Sequence, residues 1–348
     1  MKTIFVVDDS DTNLMWAKNA LEGTYKTYAL PSAQRMFGLL SKITPDLILL
    51  DVDMPEMDGY DALASLKADG KLMGIPVIFL TARSDAASEI RGFEMGALDF
   101  INKPFSPPVL IRRIEMHIEQ DRLLKEATSK LRKLHNATIS VIADMVEHRD
   151  EVTGGHIERT QNYLEILIEE LIRAGAYEDE LKSWDLSLVL PSAQLHDVGK
   201  IAISDVILNK PGKLTDEEFD KIKTHCIEGE KIIDQIILKS GDEGFLYHAK
   251  RFAGSHHEKW NGTGYPRGLS GTDIPLEGRL MAIVDVYDAL CSWRPYKEPF
   301  THRQAIDIIA KDSGTHFEPA LIDALLTIEH KFEETQINLK NNTSEALQ

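Results

Sequence analysis

Cysteine is scarce. The 348-residue chain has two, Cys226 and Cys291, too few for a disulfide framework and consistent with a reducing cytoplasm. No run of about eighteen apolar residues occurs, which excludes a transmembrane helix. The opening MKTIFVVDDSD enters acids after one short apolar stretch. It lacks the long apolar segment and small-residue cleavage site of a signal peptide, so the expected location is cytoplasmic. Positive charge is in deficit: 39 Lys and Arg face 56 Asp and Glu, a net charge of −17. That argues against general binding to DNA or to an anionic membrane, so a phosphate ligand needs local cations or metals. Internal repeats and low-complexity tracts are also missing. What remains is 43% hydrophobic, enough for real cores, in a length that suggests two domains.

The first 105 residues alternate short apolar runs, TIFVV, KTYAL, DLILL, PVIFL and ALDFI, with helix-like stretches. This pattern predicts a five-stranded parallel sheet covered by helices, an α/β domain over residues 1–120. After PFSPP the strand signal fades. Residues 108–145 read as a linker helix, 140–335 as an all-α domain with one Gly/Pro-rich loop, and 336–348 as a polar, frayed tail. Within the linker, Leu124, Ala127, Leu131, Leu134, Thr138, Val141 and Met145 fall at alternating spacings of three and four. Two readings stay open there: a helix packed on its own domain, or a coiled-coil seam joining a homodimer.

Parallel sheets place their working loops at the carboxyl ends of strands. VVDDS puts Asp8 and Asp9 there, LLDVD puts Asp51, FLTAR puts Thr81, and INKPF puts Lys103. Three converging carboxylates repel one another unless a hard cation sits among them, and magnesium suits oxygen donors. A lysine and a hydroxyl facing the same point suit phosphoryl oxygens. A single pair of acids would pass for solvated loop residues, but four aligned strand-end signals do not.

The helical domain carries His156 in GGHIERT, His196 and Asp197 in HDVGK, His225 in KTHCIEG, His256 and His257 in GSHHEKW, and Asp285 in AIVDVYDAL. A lone helical histidine is more often structural than a ligand. An HD pair, an HH pair and further histidines together suit iron, manganese, nickel or zinc. A carboxylate bridging two ions about 3.5–4 Å apart would allow both attacking and leaving oxygens of a phosphodiester to be held. Lys200 follows the HD pair by three positions, and SWRPYK adds Arg294 and Lys297 as phosphate-binding cations. In WNGTGYPRG, glycines allow close backbone approach to a ligand. Tyr265 either packs on a base or plugs the loop against the core.

Residues 1–120 resemble response-regulator receiver domains. The resemblance implies phosphorylation of Asp51 by a cognate sensor histidine kinase, with magnesium held by Asp8, Asp9, Asp51 and the Asp53 carbonyl. It also implies that Thr81 and Lys103 contact the phosphoryl group and that Phe100 is the switch aromatic. Phe100 equally reads as an edge-strand core residue. Residues 140–335 resemble the HD-GYP family of HD phosphohydrolases through HDVGK, HHEKWNGTGYP, IPLEGRLMAIVDVYDAL and RPYK, in that order. This implies hydrolysis of cyclic di-GMP at two transition metals, iron or manganese first. By resemblance His156, His196, Asp197, His225, His256, His257 and Asp285 are ligands, with Asp197 bridging. Lys200, Arg294 and Lys297 then hold phosphate, and Gly264, Tyr265 and Pro266 form the substrate loop. Two departures stand out: Asn261 replaces a common aspartate, and Val152 replaces a glutamate that supports a third ion in some members. Rival readings are a nucleotide sensor or protein-interaction module without turnover, and a phosphodiesterase for cyclic GMP-AMP.

Overall fold

The computed structural model describes residues 1–82, 86–150, 155–241, 244–293 and 298–345. The chain divides into two compact units, Met1–Leu131 and Arg132–Gln348.

In the first unit the elements run β1 (Thr3–Val7), α1 (Asp11–Leu21), β2 (Lys26–Leu30), α2 (Ala33–Leu40), β3 (Leu47–Asp51), α3 (Gly59–Ala68), β4 (Val77–Thr81), α4 (Ala86–Glu94) and β5 (Asp99–Asn102), followed by the start of α5 (Pro107–Glu147). The strands pair in parallel in the order β2-β1-β3-β4-β5. Every residue of β3 and β4 is buried. These strands are apolar without a break, rather than alternating, because helices cover both faces of the sheet. Ile4 and Val6 face a core with Leu14 and Leu21 of α1 and Leu110 and Ile114 of α5. Phe5 and Val7 face a second core with Met36 of α2 and Leu63 and Leu66 of α3. Helix starts are fixed locally: Ser10, Ser32 and Asp58 each accept a hydrogen bond from a backbone N–H in the first turn.

Helix α5 is continuous to Glu147. Along its later half Ile139, Ala143 and Val146 are buried, and Ile139 packs with Leu195, Val198 and Phe245. The three-four seam lies elsewhere on the helix. Leu124, Leu131, Leu134, Val141 and Met145 are each more than half exposed, so they do not pack on their own domain.

The second unit continues with α6 (His156–Arg173), α7 (Glu178–Leu181), α8 (Leu186–Ala193), α9 (Asp205–Leu208), α10 (Asp216–Lys223), α11 (His225–Ser240), α12 (Gly244–Ser255), α13 (Leu276–Cys291), α14 (His302–Lys311) and α15 (Pro319–Glu345). Its centre is aromatic. Tyr163 of α6 stacks on Phe332 of α15 at 4.8 Å, and Tyr287 of α13 meets both edge-on at 5.0 and 5.1 Å. Residues 336–345, read from sequence as a polar tail, extend α15. Gln336 is buried and donates to the Cys291 carbonyl, and extending an anchored helix by a few polar residues costs little.

Phe332 is fully buried between the α6 and α13 tyrosines. Phe332→Ala is expected to destabilise the second unit by about 3–5 kcal/mol, read as a lower denaturant midpoint for its unfolding transition with the transition of the first unit unmoved.

Candidate active site

In the first unit the strand register brings Val7 beside Leu50, Asp51 beside Leu80, and Thr81 beside Asn102. The residues at and just beyond these strand ends therefore share one edge. Asp8, Asp9 and Asp51 offer oxygens within 4.8 Å of one another. The Lys103 ammonium lies 2.6 Å from Asp8 and 2.7 Å from Asp51. Burial raises the Asp51 carboxyl above its usual range and Asp8 adds to the effect, against the opposing pull of Lys103. Thr81 is buried at the same edge. The Asp53 N–H donates to Asp51. Phe100 is buried, with its ring 5.2 Å from Phe79 and 5.1 Å from Phe93.

In the second unit Pro191 lies in the last turns of α8, and the chain then tightens. Successive i to i+3 backbone bonds from Gln194 to Val198 carry His196 and Asp197 into a short 3₁₀ helix, Val198–Ala202. Gly199 sits against α11, where a Cβ would collide with the His225 carbonyl and the Gly229 amide. This close approach, possible only without a side chain, places the HD pair beside His225 at the start of α11. His256 and His257 follow directly after α12. Asp285 comes from α13, and His156 begins α6.

Two ligand-forming groups result: Asp197, His225, His256 and His257 in one, and His156, His196 and Asp285 in the other. Asp197 stands between them. Its Oδ1 lies 3.3 Å from His225 Nε2 and 3.6 Å from His256 Nε2, while Oδ2 lies 3.5 Å from His196 Nε2. One oxygen faces each group, as a bridging carboxylate requires. Lys200, one 3₁₀ turn on, lies 2.8 Å from Oδ2.

The imidazoles are prepared for metal. Nδ1 of His196 bonds the Ala193 carbonyl at 3.0 Å, that of His225 the Ile222 carbonyl at 2.7 Å, and that of His256 the Phe252 carbonyl at 3.0 Å. His156 Nδ1 donates to Asp288 at 2.7 Å. Those acceptors commit the Nδ1 protons, so that Nε2 is the nitrogen each ring presents to a cation. His225 Nε2 and His256 Nε2 are only 3.3 Å apart, and the buried His196 Nε2 has no hydrogen-bond partner. Converging ring nitrogens and an orphaned Nε2 fit a divalent metal site. Arg294 and Lys297 lie outside the described residues, as do Glu151 and Val152.

Three acids escape a motif reading. Asp288 is buried, bonds His156, and pairs with Arg159 at 2.6 Å; its signal is its place one helical turn after Asp285 in VDVYD. Glu258, next to the HH pair, is buried and accepts from the Arg267 and Leu269 amides at 2.8 and 3.0 Å. It thereby closes the GYP loop. Within that loop a Cβ on Gly264 would strike the Glu258 and Lys259 backbone, and Tyr265, followed by Pro266, lies 4.7 Å from the His257 ring. The third acid is Glu147, at the end of α5, which burial pushes up to about 7.

Electrostatics set how metal enters. Burial opposes charge on His156, but Asp288 and Asp285 outweigh it and push the ring up to about 9. Burial likewise opposes charge on His225, and Asp197 pushes it up to about 10. Burial drives His196 the other way, down to about 4. Burial would raise the Asp197 carboxyl, yet Lys200 and the surrounding histidines hold it well below the usual carboxylate range. In the metal-free protein at pH 7, His156 and His225 are therefore protonated, and a metal must displace both protons.

Apparent metal affinity is thus expected to rise with pH up to about 9–10 and to fall by about tenfold per displaced proton for each pH unit below that. Chelator competition at a series of pH values reads the slope, and a flat profile would contradict these ring assignments. Asp288→Asn should lower metal affinity by about 10–100-fold by loosening His156, checked by the same competition with the fold monitored by circular dichroism.

Comparison with known proteins finds a match for each of the two units. A family model described as a response regulator receiver domain matches residues 4–115, and one described as an HD domain matches residues 122–321. A Vibrio cholerae protein named probable cyclic di-GMP phosphodiesterase is 40% identical over 345 residues, covering 95% of this chain and 78% of that protein. The Xanthomonas campestris cyclic di-GMP phosphodiesterase response regulator RpfG is 35% identical over 295 residues, covering 81% and 75%. A Vibrio cholerae protein named 3'3'-cGAMP-specific phosphodiesterase 2 is 39% identical over 196 residues, covering 56% of this chain and 35% of that one. Identity and coverage of this order show the family: the chain belongs to the HD-domain response regulators, a receiver domain followed by an HD domain.

Proposed function

We propose that this chain is a metal-dependent phosphodiesterase that hydrolyses cyclic di-GMP under the control of phosphorylation at Asp51. The observation that carries the reading is Asp197, with one oxygen turned to each of two ligand groups. Relatives that share both domains carry the cyclic di-GMP name. The relative named for cyclic GMP-AMP is matched over 56% of this chain.

When bound, a pair of divalent ions supplies a hydroxide nucleophile at neutral pH and stabilises charge on the phosphoryl oxygens. The protein's part is positional. His156, His196 and Asp285 would hold one ion, and Asp197, His225, His256 and His257 the other. Iron or manganese suits this nitrogen and carboxylate set. Lys200 neutralises negative charge beside Asp197 and reaches the phosphate side of the centre, with Arg294 and Lys297 as further phosphate cations. Water adds to phosphorus, the bond to the ribose 3′ oxygen breaks, and that oxygen takes the proton, giving linear pGpG. Val152 offers no donor for a third ion, so the linear product is held less firmly and conversion to GMP is slower.

In the receiver, Asp51 accepts the phosphoryl group from a sensor histidine kinase. Asp8, Asp9 and the Asp53 carbonyl serve magnesium, Thr81 and Lys103 contact the phosphoryl oxygens, and Phe100 reports the change. The exposed α5 seam pairs two copies of the chain. It is three-four spaced, turned away from its own core, and self-complementary in a parallel pair.

Purified protein loaded anaerobically with iron(II) or manganese and incubated with cyclic di-GMP should yield mainly pGpG by chromatography. Asp197→Ala should lose both metal and turnover; retention of both would sink the two-metal mechanism. A small phosphodonor with magnesium should add one phosphoryl group per wild-type chain and none to Asp51→Ala. Leu131→Asp should weaken self-association in sedimentation, and a wild type that is monomeric with and without phosphorylation would retire the seam.

A further inference from the structure

A second cavity of the helical unit lies away from the histidine centre. Its volume is about 560 Å³, within the range of small-molecule sites, about 300–1,000 Å³. Its lining comes from three elements: α7 with the residues just after it, α12, and the start of α13. Glu277 of α13 stands eight residues before Asp285, and His248 of α12 eight before His256. At a helical rise of about 1.5 Å per residue, each lies about 12 Å along the chain axis from those ligands.

Polar groups are built into this cavity. Glu277 is 1% exposed, and its Oε1 accepts from His248 Nδ1 at 2.8 Å. Its Oε2 lies 3.0 Å from Arg251 Nε, but the pair is misaligned, and neither of these shielded atoms makes a hydrogen bond. An unmet carboxylate oxygen beside an unmet guanidinium N–H is costly where water is excluded. The arrangement leaves Arg251 able to turn toward a ligand. Its guanidinium lies over the Tyr247 ring at 5.1 Å, and Trp184 and Tyr247 each meet the His248 ring edge-on at 5.3 Å. Tyr247 is half exposed. Helix α7 adds two acids. Glu180 reaches Arg279 at 3.3 Å, and Asp179 is exposed, with no ion-pair partner among the described residues.

We propose that this cavity binds guanine, as a second nucleotide site of the helical unit. Guanine carries an acceptor edge, O6 with N7, and a donor edge, N1–H with the 2-amino group. Arginine meets the first edge with two N–H groups, and a carboxylate meets the second with its oxygens. The cavity supplies both from separate elements, Arg251 from α12 and the acids Asp179 and Glu180 from α7. Trp184 and Tyr247 supply rings on which a purine stacks. Glu277 is a positioning residue that holds His248 and faces Arg251. Adenine has an amino group where guanine has O6, so it would set donor against donor at Arg251. The inference goes beyond the phosphodiesterase reading and does not need the metal centre. That reading only names the carriers of guanine that the protein would meet: cyclic di-GMP, pGpG and GMP.

The test is nucleotide binding by the full-length chain carrying Asp197→Ala, kept in chelator so that no ion holds a phosphate at the histidine centre. Equilibrium dialysis with GMP and with AMP reads the affinities. Quenching of tryptophan fluorescence follows Trp184, with Trp184→Phe as the control. The expected result is one GMP per chain, bound at least about tenfold more tightly than AMP, with a quench that Trp184→Phe removes. Arg251→Met in the same background should weaken GMP by about tenfold or more and leave AMP unchanged, with the circular dichroism of the fold retained. If Arg251→Met does not fold, Tyr247→Ala decides, because its ring is half exposed: weaker GMP binding supports the site and an equal affinity overturns it. Cyclic di-GMP and pGpG compete with GMP in parallel arms, and the tightest binder of the three is the source of the guanine. No GMP binding, equal affinities for GMP and AMP, or a GMP affinity indifferent to Arg251→Met would overturn the proposal. A metal-loaded wild type that turns over cyclic di-GMP, with an Asp197→Ala form that binds no GMP, sinks this inference alone. GMP binding here in a protein without turnover sinks the phosphodiesterase reading alone.

Discussion

Charge compensation at buried carboxylates governs both halves of this protein. Asp8 is fully buried and Asp51 nearly so. Two such groups cannot both remain ionised at one sheet edge without a cation among them, and Lys103 reaches both. In the second unit Lys200 takes the equivalent place beside Asp197. Each lysine offsets the negative charge of the carboxylates it touches. A divalent ion would answer the same demand more strongly at the groups of possible ligands.

The same demand explains the local backbone. Gly199 gives up a side chain so that the HD turn can lie on α11. Backbone carbonyls at residues 193, 222 and 252 take the Nδ1 protons of three histidines, which turns helix-end acceptors into devices that aim imidazole. Glu258 performs a related service for the GYP loop by receiving two of its amides. Helix α5 joins this scheme from outside the histidine motifs. Its buried stripe meets the residues flanking the HD pair, and the Arg149 guanidinium just beyond it clasps the turn that carries Lys200.

Much of this was legible in the sequence because it is written in short-range patterns. Unbroken apolar runs announced the buried parallel strands, and acids at their ends announced the carboxylates that share one sheet edge. HD, HH and lone histidines announced the side chains that the fold gathers from α6, α11, α13 and the turns after α8 and α12. The three-four seam on α5 was also legible, though its exposure was not, since spacing alone does not say which helix face meets a core. Least legible were Asp288 and Glu258. Each touches a side chain or loop brought near by folding, and acids at such spacings are common on solvated helices. The extension of α15 through a polar stretch was missed for a similar reason: its anchors, Phe332 and Gln336, are set by packing against α6 and α13 rather than by the tail's own composition.

The central claim is that Asp197 bridges two ions in the helical domain. Anomalous diffraction from crystals of the manganese- or iron-loaded protein, collected at the metal edge, tests it most directly. The account predicts two peaks about 3.5–4 Å apart, one beside His225, His256 and His257, the other beside His156, His196 and Asp285, with Asp197 between them. A loaded crystal with no peak at these residues, or with a single ion that Asp197 does not touch, would contradict it.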